Sequence, residues 1–184
     1  MILETTAEIL RTRGIGEVTT NSIARHASIP VSSIYQYFPD KVAILAALYR
    51  DYLASIEAVM DEIDIPQRLA QPWEEYWTQS IKAIYRQETR DQIDRELDLG
   101  LALFPELMEI EKAHREKMAG RLASTLRQLG SQWSRPKLER LALFIYELNT
   151  AAWRYRVQNK TVANELLDWE TAAILATVGR CMES

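Results

Sequence analysis

Between Thr19 and Lys41 the chain gathers hydroxyls, an amide and cations on a short stretch: Thr20, Arg25, Ser32, Ser33, Tyr35, Gln36, Tyr37 and Lys41, with Val31 among them. Side chains of these types hydrogen-bond phosphate oxygens and the edges of bases. Catalysis asks for other patterns. The two histidines, His26 and His114, are far apart in sequence, and the single cysteine, Cys181, sits near the C-terminus. No glycine-rich loop accompanies them. Metal, nucleophile–base and phosphate-loop signatures are all missing. No catalytic residue, metal ligand or cofactor is therefore assigned, and an enzyme is not the expected class.

The scaffold under these side chains reads as two short helices and a turn. Thr20 is a candidate N-cap for a helix through Asn21–Ala27, in which Ile23, Ala24 and Ala27 share one face. Ser28-Ile29-Pro30 breaks that period, and proline suits the start of the next helix because its missing N–H would be unpaired there. Val31 to Phe38 forms that second helix, with Ile34 and Phe38 turned inward. Two short helices joined by a tight turn make a helix-turn-helix. Its second helix fits the major groove, where Val31 can meet a thymine methyl, Ser32 and Ser33 either kind of base pair, and Gln36 adenine or a phosphate. Thr20 and the N–H groups of its helix can face another phosphate. Arg25 points outward on the first of the two helices.

Ile2-Leu3, Ala7, Leu10 and Gly14, then Thr19-Thr20, Ile23-Ala24, Ala27, Ile34-Tyr35, Tyr37-Phe38, Lys41 and Leu45 resemble the N-terminal domain of the TetR family of transcriptional repressors. The resemblance runs in register through about the first 48 residues. It implies that Tyr35 and Tyr37 bond phosphate through their hydroxyls and that Lys41 is the family's phosphate-binding lysine. It also implies double-stranded DNA as a partner, with a homodimer on a palindromic operator. In that family a small-molecule effector releases the protein from DNA, here an effector of unknown identity. One departure is Ser32, where the family commonly has glycine. Another is that only Met1 precedes the first helix, where members usually carry a longer arm.

Composition favours an all-α protein, and no apolar run is long enough for a membrane span. Nor is there a secretory leader, and a lone cysteine fits a reducing cytoplasm. The expected location is cytoplasmic, with no membrane partner. The net charge is −4. Residues 1–50 hold five bases (Arg11, Arg13, Arg25, Lys41, Arg50) against four acids (Glu4, Glu8, Glu17, Asp40), a balance of +1. The remainder carries −5. So weak a head neutralises few phosphates, and one copy alone should bind DNA poorly.

Periodicity beyond residue 40 gives a long helix capped by Asp40 and running to about Glu62. Further helices follow over about Pro72–Glu88, Thr89–Phe104, Glu106–Leu129, Arg135–Asn159 and Ala163–Met182. The expected architecture is a three-helix helix-turn-helix head on a larger helical bundle, about nine helices in all. Residues 1–48 form the DNA-binding domain and 49–184 the ligand-binding and dimerisation domain. The resemblance places the dimer on the last two helices, where an apolar seam runs through Leu141, Ile145, Leu148, Ala152 and Tyr155 and a second through Leu167, Thr171, Ile174 and Val178. Aromatic and soft side chains in the body are candidates to line an effector pocket: Trp73, Tyr76, Trp77, Tyr85, Phe104, Met108, His114, Met118 and Trp153. Asp94 and Asp98 share a face that suits a cation. A competing reading is a helical dimeric adaptor or small-molecule-binding protein whose DNA affinity is weak or lost, which the near-neutral head and Ser32 favour.

Overall fold

A computed structural model describes residues 1–91 and 93–183. All of its regular structure is helical, with ten α-helices among the described residues. They are α1 (Ile2–Arg13), α2 (Thr20–Ala27), α3 (Val31–Tyr35), α4 (Lys41–Ile63), α5 (Pro66–Leu69), α6 (Trp73–Asp91), α7 (Asp94–Leu103), α8 (Pro105–Gln128), α9 (Arg135–Gln158) and α10 (Ala163–Met182). Short 3-10 turns occupy Ile15–Glu17 and Lys160–Val162. The helix beyond the nine expected is α5, a single turn opened by Pro66. Among the described residues no helix is long and apolar enough to cross a membrane.

Boundaries follow local chemistry. Gly14 ends α1 at φ 82°, ψ 170°, a conformation that side chains with a Cβ avoid. Asp40 caps α4, its Oδ1 accepting from the Ala43 N–H at 2.8 Å. Phe104 is extended, the conformation favoured before proline, and Pro105 then opens α8.

The helices pack into two units. One comprises residues 1–57 and 87–112; the other comprises 58–86 and 113–184. The first buries Ile9, Leu10, Val18, Ile23, Ile34, Ile44 and Leu45 with Ile93, Leu97 and Leu107 from the later segment. The helix-turn-helix core is thus completed by apolar residues of α7 and α8, and packing draws its division elsewhere than after residue 48. Glu96 of α7 adds a polar tie, accepting the Ile15 N–H at 2.8 Å. Gly100 lies so close that a Cβ there would stand 3.0 Å from both Ile15 Cδ1 and Leu107 Cδ2. The second unit buries Met60, Tyr76, Trp77, Met118, Leu126, Leu138, Ile145, Ile174 and Val178.

Candidate nucleic-acid interface

The first helix of the motif begins one residue earlier than its sequence suggests. Thr19, not Thr20, is the N-cap of α2. Its Oγ1 accepts the Ser22 N–H and the Ser22 Oγ accepts the Thr19 N–H, both at 3.0 Å. This reciprocal box satisfies two backbone donors at once. Thr20 is left as the first helical residue, with its hydroxyl at the rim. Ser28 turns the chain at φ 54°, ψ 41°, and the Ile29 N–H bonds back to the Ala24 carbonyl at 3.0 Å. That closing pattern satisfies carbonyls at the end of α2. Pro30, extended at φ −61°, ψ 141°, then launches α3.

The second helix is shorter than the expected Val31–Phe38. It ends at Tyr35, and the Tyr37 and Phe38 N–H groups both bond the Ile34 carbonyl, at 3.0 and 2.9 Å. Pro39 disfavours the helical conformation for Phe38, and the last turn tightens and stops. Ile23 and Ile34 are fully buried and pin the two helices to the core.

With their apolar faces pinned, the remaining side chains stand outward. Arg25, Val31, Ser32, Tyr35, Gln36 and Tyr37 are exposed; Thr20, Ser33 and Lys41 are half-buried. Tyr37 is 73% exposed and Tyr35 54%. The Thr20 Oγ1 and the Tyr35 hydroxyl are 3.2 Å apart, joining α2 to α3 at their outer edge. The Lys41 ammonium lies over the Phe104 ring, 5.5 Å from its centroid. The arrangement sets hydroxyls, the Gln36 amide and the Arg25 guanidinium on and just after the short pair α2 and α3, with the Lys41 ammonium at the head of α4. Among the described residues no cluster of three His, Cys, Asp or Glu side chains could hold a metal ion.

The effector-pocket candidates fall into both packing units. Phe104 and the exposed Met108 belong to the first. In the second, Tyr76, Trp77, His114 and Met118 are buried, while Trp73, Tyr85 and Trp153 are half-buried. The Tyr76 hydroxyl donates to Asp64, which is also paired with Arg121. Burial and that carboxylate push the Tyr76 phenol well above its usual pKa. The Trp77 Nε1 is buried with no hydrogen-bond partner among the described residues. His114 meets the Tyr146 ring edge-on, centroids 6.2 Å apart. Side-chain geometry at Asp94 lies outside the described residues.

The seam read as a dimer face is largely closed within the chain. Ile145, Leu167, Ile174 and Val178 are buried in the second unit's own core and have little surface to give a partner. Leu141, Leu148, Ala152 and Thr171 are half-buried, and Tyr155 alone of the set is exposed. The outward stripe instead carries Phe144, Ala151 and Tyr155 on α9 and Trp169, Ala172, Ala173 and Ala176 on α10. Sequence reading also passed over Arg156 and Glu170, a salt-bridged pair each only 4% exposed. The Arg156 guanidinium stands 5.3 Å from the Tyr85 ring centroid. The signal was present, since Arg156 and Glu170 fall on the apolar faces of their helices.

Residues 2–48 match a family model described as "Bacterial regulatory proteins, tetR family". No curated protein matches the sequence. Among solved structures, a transcriptional regulator from Rhodococcus sp. Rha1 is similar with a TM-score of 0.75 at 14% identity, covering 99% of this chain and 94% of that one. A TetR-family transcriptional regulator from Streptomyces coelicolor gives 0.72 at 18% identity, covering 98% and 96%. The multidrug binding protein EbrR, complexed with imidazole, gives 0.73 at 12% identity, covering 96% and 87%.

Proposed function

We propose, from a TetR-family helix-turn-helix over residues 2–48 carried on the fold of that family's transcriptional regulators, that this protein is a ligand-responsive repressor acting as a homodimer on a palindromic operator. The observation that carries the DNA reading is the outward edge of α2 and α3, where Thr20, Tyr35, Gln36 and Tyr37 present hydrogen-bonding groups that the fold does not bury. The side chains of α3 discriminate modestly, and the first 50 residues carry only +1. Two heads read together supply what one lacks, with half-sites about 34–36 Å apart.

The pairing surface is the exposed stripe of Phe144, Tyr155 and Trp169 with the alanines of α10, because large apolar side chains at the surface favour cover by a partner. The effector site lies among the aromatic side chains of the second unit. Likeness in fold to a multidrug binding protein supports a small-molecule effector. Release is a population shift: a ligand preferring a differently spaced dimer draws it from DNA by that difference in affinity.

Selection of bound sequences from a random duplex pool tests this reading. The expected outcome is an enriched inverted repeat with half-site centres about one helical turn apart. Failure to enrich any sequence, with binding that stays weak and unspecific, would overturn it.

A further inference from the structure

Lys41 opens α4, one residue after the capping Asp40. A cation at a helix N-terminus is opposed by the helix dipole, so the ammonium has reason to swing away. It is instead held over the Phe104 ring, with Nζ 5.5 Å from the centroid, within the range at which an aromatic face attracts a cation. Phe104 is itself well placed to hold it. The ring is half-buried against the core of the first unit, on extended backbone fixed between α7 and the Pro105 that begins α8. Among the described residues the Lys41 ammonium makes no hydrogen bond or ion pair. Its three N–H donors are unused while one side rests on the ring.

We propose that Phe104 is a positioning residue for phosphate binding: its ring holds the Lys41 ammonium at the head of α4, so that a DNA phosphate meets an ordered cation. The inference rests on the DNA-binding reading above and deepens it. A lysine stem is rich in rotamers, and ordering it only on binding would subtract from affinity. The ring does that ordering beforehand and, being neutral, leaves the charge available to the phosphate. Leucine at 104 would keep apolar bulk but not the π face. Tyrosine would keep both.

The test is fluorescence anisotropy of the full-length protein on its selected duplex across a range of potassium chloride concentrations. Wild type is compared with Phe104→Leu, Phe104→Tyr, Lys41→Met and Phe104→Leu/Lys41→Met. Lys41→Met is expected to weaken binding and to lower the salt slope by about one per subunit. Phe104→Leu is expected to lose about two- to fivefold in affinity when Lys41 is present and nothing further when Lys41 is Met. Phe104→Tyr should bind as wild type does. An equal loss from Phe104→Leu in both backgrounds would make the ring merely structural, and tighter binding would make it a competitor for Lys41; either overturns the proposal. Should Phe104→Leu fold poorly by thermal melting, Phe104→Met serves in its place under the same two criteria. If Lys41→Met leaves affinity and slope unchanged, the inference fails while DNA binding stands. If wild type binds no DNA, the underlying reading fails.

Discussion

Thr20 Oγ1 and the Tyr35 hydroxyl stand 3.2 Å apart, one at the first residue of α2 and the other at the last of α3. The bond bridges the two helices at the edge turned to solvent. It contributes little to stability, because both groups can exchange it for water. Its consequence is for binding: with the Thr20 hydroxyl donating to Tyr35, the Tyr35 O–H is left to donate to a phosphate oxygen.

Tyr35→Phe should therefore leave the fold unchanged to within about 0.5 kcal/mol, the usual range for a surface substitution. DNA affinity should fall about tenfold or more, the size of a lost hydrogen bond to a charged group. Urea unfolding and anisotropy on the same preparation separate the two effects. A parallel loss of stability would place Tyr35 in the scaffold instead.

Gly14 occupies φ 82°, ψ 170°, and a Cβ there would stand 3.1 Å from the Glu96 Oε2 that receives the Ile15 N–H. Gly14→Ala should cost about 1–3 kcal/mol of stability through backbone strain. Gly16, where a Cβ would meet nothing within 4 Å, is the matched control and should tolerate alanine. Chemical denaturation compares them, and equal midpoints would contradict the assignment of strain to Gly14.

The Arg156–Glu170 salt bridge is closed off from water at both ends. Removing one partner leaves a buried charge, so Glu170→Leu alone should destabilise by about 3–5 kcal/mol. Arg156→Met combined with Glu170→Leu should recover most of that loss, because two apolar side chains can fill the same volume. A double variant no more stable than the single one would mean that the pair is bound into a wider network.

Cys181 is buried, and burial pushes its thiol pKa above the usual range. A folded pKa raised in this way favours the neutral thiol. Its contribution to stability is complete below the unfolded pKa and is lost as pH rises through the folded one. Reaction with a disulfide reagent at pH about 8 should accordingly follow unfolding rather than thiolate chemistry. Fast labelling of native protein would contradict this.

The sequence made the helix-turn-helix legible because Ile23, Ile34 and Pro30 each favour one local outcome, whereas the effect of Pro39 on the turn before it was missed and the second helix was carried to Phe38. The last helix, Ala163–Met182, was equally readable from periodicity. Where reading faltered, the cause was specific. Thr19 and Thr20 are adjacent hydroxyls, and Ser22, three residues on, decides between them by completing the box with Thr19. Periodicity showed that Ile145, Ile174 and Val178 are buried, but a period does not say against what. Their own chain covers them, and the outward residues Phe144 and Trp169 were passed over. Phe104 looked like a pocket residue by type. Only the fold shows it under Lys41.

The most direct test of DNA recognition by this head is duplex occupancy by a Tyr35→Phe/Lys41→Gln variant, measured by anisotropy beside wild type. Circular dichroism and sedimentation on the same samples monitor fold and pairing. The account predicts occupancy lost, with helical content and dimer mass unchanged. Wild-type occupancy in a well-folded double variant would contradict it.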